Sequence, residues 1–258
     1  MGRLIKAECH QLYWSRAFRV FFILFGILGA LMIGYLPTFI KWATTIPGLE
    51  ITTPNPMPTP IGISYEMLSS EGIMIIIFYL TYLVYHSENS NRTIINLIAT
   101  GQSRLAIYFS KWFTMLCAGV FTNLIYWAII LVISLIAKQP VSLFTDFTQT
   151  VMTAGELFLW WAMLASLANA FLFNLHKETW AVFLPYLLII FGGGLVNILF
   201  SRFLPNFFEK LLPYLFYNLS PDQPLLYHDH NLAPMLMILW SIAFLFIGWI
   251  GFKQKEIR

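Results

Sequence analysis

Three groupings in this chain of 258 residues carry residue types that do chemistry. His228, Asp229 and His230 form a run of two imidazoles and a carboxylate, all zinc-ligand types. Three consecutive side chains seldom converge on one ion, however, and no fourth ligand lies close in sequence, so an ordinary polar loop is expected there. Gly192, Gly193 and Gly194 would suggest a phosphate cradle in a soluble protein. No lysine and no strand-to-helix context accompany them, so close helix packing or a local bend is expected, helped by Pro185. The third grouping is a scatter of polar residues inside long apolar stretches.

These polar residues matter because a charge or amide in hydrocarbon is costly and usually faces protein or a cavity. Glu71 and Glu156 fall near the outer boundary of apolar blocks, where a carboxylate can reach headgroups. Ser166 and Asn169 stand three apart, with Ala162 above them, and make one small, polar stripe on a helix. Asn123 and Asn197 are singles of the same kind. Such residues either hold helices together or line a route through the membrane. No relay of Asp, Glu and His runs through the middle of the apolar blocks, which argues against an ion-coupled pump. Enzyme signatures are missing too: His176 begins HKETW rather than HExxH, and neither GxSxG nor GxxxxGK[ST] occurs. The chain is not expected to be an enzyme, and any ATP it uses must be hydrolysed by another subunit.

The elements that position these residues follow from composition. Hydrophobic residues make up 59% of the chain and charged ones 10%, with a mean hydropathy of +0.72, whereas soluble domains carry about 25% charged residues. There is too little charge to cover a water-facing surface. The apolar material comes in long blocks, which selects helices over the short alternating strands of a membrane barrel. The expected fold is therefore an all-α integral membrane protein, a single domain over residues 1–258, with about six spans at 20–36, 67–85, 108–136, 156–173, 179–200 and 232–252. With the N-terminus inside, 11 of the 15 lysines and arginines fall on the cytoplasmic side, and Lys41, Lys138, Arg202 and Lys210 fall outside. That bias places both termini in the cytoplasm.

Two segments beside the spans are informative. Residues 1–19 read as a short basic amphipathic helix, an interfacial elbow, with Ile5, Cys9, Leu12 and Tyr13 on one face and Arg3, Lys6 and His10 off it. Residues 90–100 read as a second short helix on the cytoplasmic side. Ser90 or Asn91 caps it, Ile94, Ile95, Leu97 and Ile98 give it an apolar face, and Gly101 ends it. Cys9, ahead of the first span, and Cys117, inside the third, are expected on different sides of the membrane, as two small apolar fillers. The outer segment 201–231, containing FLPNFFEKLLPYLFY, suggests short interfacial helices.

The order of these elements resembles the membrane permease subunits of ABC-2 type ATP-binding cassette transporters, in particular the small six-span permeases of bacterial lantibiotic and bacitracin immunity and peptide export. The likeness rests on LIKAECHQLYWSR before the first span, on RTIINLIATGQSRLAIYFSKW between the second and third, and on the terminal FKQKEIR. Thr93, Leu97, Gly101, Ser103, Arg104, Ser110 and Lys111 match the family's T…L…[GP]xSRxxxxxSK stretch. Glu256 stands where the family's tail tends to have aspartate. The resemblance implies that helix 90–100 is a coupling helix, with Arg92, Thr93, Ile94, Leu97, Ile98 and Arg104 forming the surface that meets a cytoplasmic ATPase dimer. It implies a second permease, identical or paralogous, and a bacterial cell-membrane location. No cofactor is bound directly; ATP and magnesium belong to the ATPase. The expected cargo is an amphipathic or hydrophobic peptide, with membrane lipid as the other partner and no nucleic acid. The rival readings are a non-conducting anchor or regulatory subunit of an ATPase complex, and an exporter of lipid-like compounds.

Overall fold

The computed structural model describes residues 2–24, 26–27, 31, 79–84, 93–136, 147–175, 180, 183–185, 187–188, 191, 214–216, 219 and 232–254. Five helices are complete: α1 (Gly2–Trp14), α2 (Thr93–Ala99), α3 (Arg104–Ile136), α4 (Phe147–Asn174) and α5 (Leu232–Gln254). No strand occurs among the described residues. Glu71, Arg92 and Asn197 lie outside them, as do most of the expected spans 20–36, 67–85 and 179–200.

Among the described residues, three helices are long and apolar enough to cross a membrane, over Arg104–Ile125, Ala154–Asn174 and Leu232–Gln254. Two are longer as helices than the spans expected at 108–136 and 156–173. The helix α3 begins at Arg104 because Ser103 caps it: the Ser103 hydroxyl accepts from the Ala106 N–H at 3.2 Å, and its carbonyl accepts from Ile107. In α4, Glu156 does not open the helix but stands more than two turns inside it. The residues 147–153 ahead of the apolar window, FTQTVMT, contain no proline to interrupt the helix.

The core is α4 with α3 and α5 laid against it. From Trp160 to Ala170 every residue of α4 is buried, so this helix is enclosed on all sides. In α5 a line at helical spacing, Met237, Ser241, Phe244, Gly248 and Phe252, faces the core. The opposite side carries Met235, Ile238, Leu239, Ile242, Phe246 and Ile250, all exposed. A helix apolar on its outer face as well as its inner one suits lipid and not water. Pro234 lies in the first turn of α5, where backbone N–H groups have no intrahelical acceptor to lose.

Close approach between helices depends on small residues. A Cβ at Gly248 would stand 2.8 Å from the Ala170 Cα and would collide with the Tyr108 hydroxyl. At Gly119 the missing side chain makes room for the Trp161 ring. These positions let backbones approach in the manner of small-residue packing between membrane helices.

The order of contacts fixes chain direction. Tyr108 meets Phe173, Trp112 meets Ser166 and Gly119 meets Trp161, so α3 and α4 run antiparallel. Ala170 meets Gly248 and Asn174 meets Gly251, so α4 and α5 run parallel. Phe22 packs on Phe121 and Gly26 faces Ile129, so residues 16–27 run parallel to α3. In consequence α1, α2, the start of α3 and the ends of α4 and α5 gather at one end of the bundle. Exposed basic residues, Lys6, Arg16, Arg19 and Lys253, mark that end.

Candidate functional site

At the basic end α2 is mounted on the bundle by a rigid turn. Gly101, at φ +85°, closes α2: its N–H donates to the Ile98 carbonyl at 3.0 Å, and the Gln102 N–H donates to the Leu97 carbonyl at 3.1 Å. This pair of bonds is the Schellman pattern, which needs a left-handed residue at the position after the cap. Thr100 adds a side-chain bond to the Leu97 carbonyl at 2.9 Å. Ser103 then starts α3, so α2 and α3 are separated by four residues, each with a backbone or side-chain role.

Leu97 and Ile98 are half-buried and pack against the chain's own core, so at least part of the apolar face of α2 is used internally. For Thr93 and Ile94 the backbone is helical; Arg92 lies outside the described residues. Arg104 reaches across the sequence: its guanidinium donates to the Lys253 carbonyl at 3.0 Å, near the end of α5. Helix C-terminal carbonyls carry partial negative charge, and an arginine there both neutralises it and fills an orphan acceptor. The helices α2, α3 and α5 are thereby tied together at one point.

A second arrangement joins α1 to α3. The Lys111 ammonium stands 2.8 Å from Glu8 Oε1, and both side chains are withdrawn from solvent, at 0% and 9% exposure. Ser110 donates to Glu8 Oε1 at 3.2 Å and Thr114 to Oε2 at 3.1 Å. Each hydroxyl has one proton, which it shares between a Glu8 oxygen and a carbonyl of its own helix, Ile107 for Ser110 at 2.8 Å and Ser110 for Thr114 at 2.9 Å. A buried pair is tolerable only with such additional hydrogen bonds, because desolvating both charges is expensive. Lys111 was counted above as a cytoplasmic charge; in the fold it is an internal one. The inward line of α1 is Ile5, Glu8, Cys9 and Leu12, with Glu8 and Leu12 buried and Ile5 and Cys9 half-buried, and Tyr13, expected on that face, is exposed instead. Glu8 draws the helix toward Lys111, which turns Tyr13 to the rim, where it meets Phe121 edge-on.

Beyond α1 the chain bends at Ser15. Its hydroxyl accepts from the Phe18 N–H at 3.2 Å and its carbonyl from Arg19, capping the next helical stretch. Leu83 and Val84, from the stretch 79–84, join Glu8, Trp14 and Lys111 around a cavity of about 390 Å³.

The stripe of Ser166 and Asn169 lies wholly inside the bundle, both residues at 0% exposure. Trp112 Nε1 donates to the Ser166 hydroxyl at 2.9 Å, and that hydroxyl donates to the Ala162 carbonyl at 2.6 Å. Asn169 adjoins the Tyr108 hydroxyl, which donates to the Leu245 carbonyl at 2.8 Å. Tyr108 also packs on Phe173 and Phe252, whose rings are 4.5 Å apart. Within one chain these polar groups join α3, α4 and α5. Asn123 is half-buried on α3, with Oδ1 unbonded among the described residues. Glu156 is half-buried on α4. The structure thus brings Ser166 and Asn169 together and leaves Asn123, Glu156 and the α2–α3 turn as separate sites.

Sequence reasoning missed Glu8, Tyr108 and Trp112, and separated Cys9 from Cys117. The two cysteines in fact line one cavity at the α1–α3 contact. The separation followed from laying α1 flat outside the bundle, whereas it runs along α3. Among the described residues no group of three His, Cys, Asp or Glu could hold a metal ion, and His228, Asp229 and His230 lie outside them. No protein-family model matches the sequence, and no curated protein matches it.

Proposed function

We propose that this chain is the membrane subunit of an ATP-driven transporter of the ABC-2 type, with six spans and both termini in the cytoplasm. In this reading α1 is the elbow and α2 the coupling helix, and a separate pair of ATPase subunits docks at the basic end. A second copy or a paralogue completes the membrane pathway, and the cargo is an amphipathic or hydrophobic peptide moved outward. The absence of any nucleotide-binding motif makes ATP hydrolysis the partner's task.

The observation that carries the reading is the mount of α2. A short helix fixed through Gly101 and Ser103 to α3, and through Arg104 to the end of α5, transmits a displacement to two long helices at once. Packed helices shift as units and do not deform continuously. The opposite directions of α3 and α4, and the parallel run of α4 with α5, fit their being the third, fourth and sixth crossings of a six-span chain. The exposed lysines and arginines at one end fit the cytoplasmic side.

A non-conducting anchor of an ATPase complex is the second reading, and one observation favours it. Ser166 and Asn169, the polar stripe suited to a route, are buried between α3, α4 and α5 among the described residues, so this stripe joins helices and lines no opening there. The deciding experiment is purification of the tagged chain from its native membrane in mild detergent, with identification of co-purifying proteins and assay of their ATP hydrolysis. A P-loop ATPase in the complex, driving peptide movement after reconstitution into vesicles, supports the transporter. The ATPase without movement supports the anchor, and reproducible absence of an ATPase removes both.

A further inference from the structure

The chain has two cysteines in all, and the fold places them together. Cys9 follows Glu8 on α1, and Cys117 lies one turn beyond Thr114 on α3. The contacts that grip Glu8, from Lys111, Ser110 and Thr114, set the rotation of α1 about its axis. With that rotation fixed, Cys9 and Cys117 come to the same cavity. Both are free thiols, neither fully buried nor fully exposed. They border a cavity of about 520 Å³, which His10, Tyr13, Phe18 and Phe121 also line.

We propose that Cys9 and Cys117 are a redox modification site: hydrogen peroxide converts them to an intramolecular disulfide that ties α1 to α3. Two features suit the pair to this chemistry. The cavity admits a small uncharged oxidant. Both thiols border that cavity across one helix contact, so the second step is intramolecular and escapes the entropy cost of an encounter. In a reducing compartment such a bond is transient and regulatory, not structural.

The chemistry balances with peroxide as the named oxidant. One cysteine, as thiolate, attacks a peroxide oxygen; the O–O bond breaks, a sulfenic acid forms, and hydroxide leaves. The other thiol attacks the sulfenic sulfur, the S–S bond forms, and water leaves. The thiol protons end in water, so two thiols and one peroxide give one disulfide and two waters. A dithiol reductant reverses the reaction by exchange, taking up the disulfide bond itself.

The test uses the full chain in its native membranes, treated with hydrogen peroxide, alkylated in denaturant and digested with trypsin. Cleavage after lysine and arginine puts Cys9 in peptide Ala7–Arg16 and Cys117 in peptide Trp112–Lys138. The expected result is joint loss of alkylation at both cysteines, with these two peptides linked in material that migrates as monomer, and restoration of both by a dithiol. A Cys9→Ser chain, treated alike, yields no linked pair. Two cysteines that remain alkylatable under peroxide, or links found only in material that migrates as dimer, overturn the proposal.

Discussion

Glu8 pairs with Lys111 across a single helix contact, where it also meets the hydroxyls of Ser110, 102 residues away in sequence, and Thr114, 106 away. The two hydroxyls do not depend on it. The Ser110 proton is shared with the Ile107 carbonyl at 2.8 Å, and that of Thr114 with the Ser110 carbonyl at 2.9 Å. Both hydroxyls thus keep an acceptor on their own helix when Glu8 is removed, and that makes the pair separable by substitution.

Lys111→Met leaves the Glu8 carboxylate buried without its cation, and the expected loss is about 3–5 kcal/mol, the usual consequence of removing one partner of a buried pair. Glu8→Met together with Lys111→Met removes both charges, and Ser110 and Thr114 fall back on their own helix carbonyls. The double variant is expected to recover most of the loss. Thermal unfolding of the purified chain in detergent checks this. A double variant no more stable than Lys111→Met would show that the pair does more than cancel charge.

This pair also shows where sequence reading stops. An apolar face on α1 was legible from Ile5, Cys9 and Leu12, but a lone acid between them was not given a partner. The signal was present: one acid on an apolar helix face, and one lysine embedded in IYFSKWFTML. Local features were readable because their causes are local, as with Gly101 ending α2. Arg104 was visible as a charge, but its acceptor at Lys253 is 149 residues away. The stripe of Ala162, Ser166 and Asn169 was found as a face. Periodicity identifies a face without naming what covers it, so Trp112 and Tyr108 went unassigned. For Cys9 and Cys117 the error lay in the placement of α1, since a basic amphipathic helix can lie along a membrane surface or against a bundle with the same pattern.

Gly248 is a point of close backbone approach in the α4–α5 crossing, with the Ala170 backbone and the Tyr108 hydroxyl where a side chain would go. Gly248→Ala is expected to cost about 1–3 kcal/mol, as overpacking a close helix contact does. The collision is partly with Tyr108, so Gly248→Ala with Tyr108→Phe is expected to regain part of the loss. The gain is limited because the Ala170 Cα remains 2.8 Å from the new Cβ. Unfolding in detergent of the two variants measures the ordering, and equal stability of Gly248→Ala and the native chain would remove the close-packing account.

Gly101 makes a cleaner test of the α2 mount, because a Cβ there meets nothing within 4 Å. Any effect of substitution is therefore one of backbone conformation and not of space. At φ +85° a Cβ costs about 1–2 kcal/mol, enough to open the turn in favour of a right-handed or extended residue. Gly101→Val, β-branched, is expected to release the two closing bonds to Ile98 and Leu97 and to raise hydrogen exchange at the Gly101 and Gln102 amides. Gly101→Asn, which tolerates the left-handed region better, is expected to retain much of the protection. If the proposed coupling role holds, stimulation of the partner ATPase falls in the same order, with Val below Asn and Asn below Gly. Exchange that rises with unchanged stimulation would keep the turn but remove it from coupling. Exchange that does not rise at all would mean that packing of Leu97 and Ile98, and not the glycine turn, holds α2 in place.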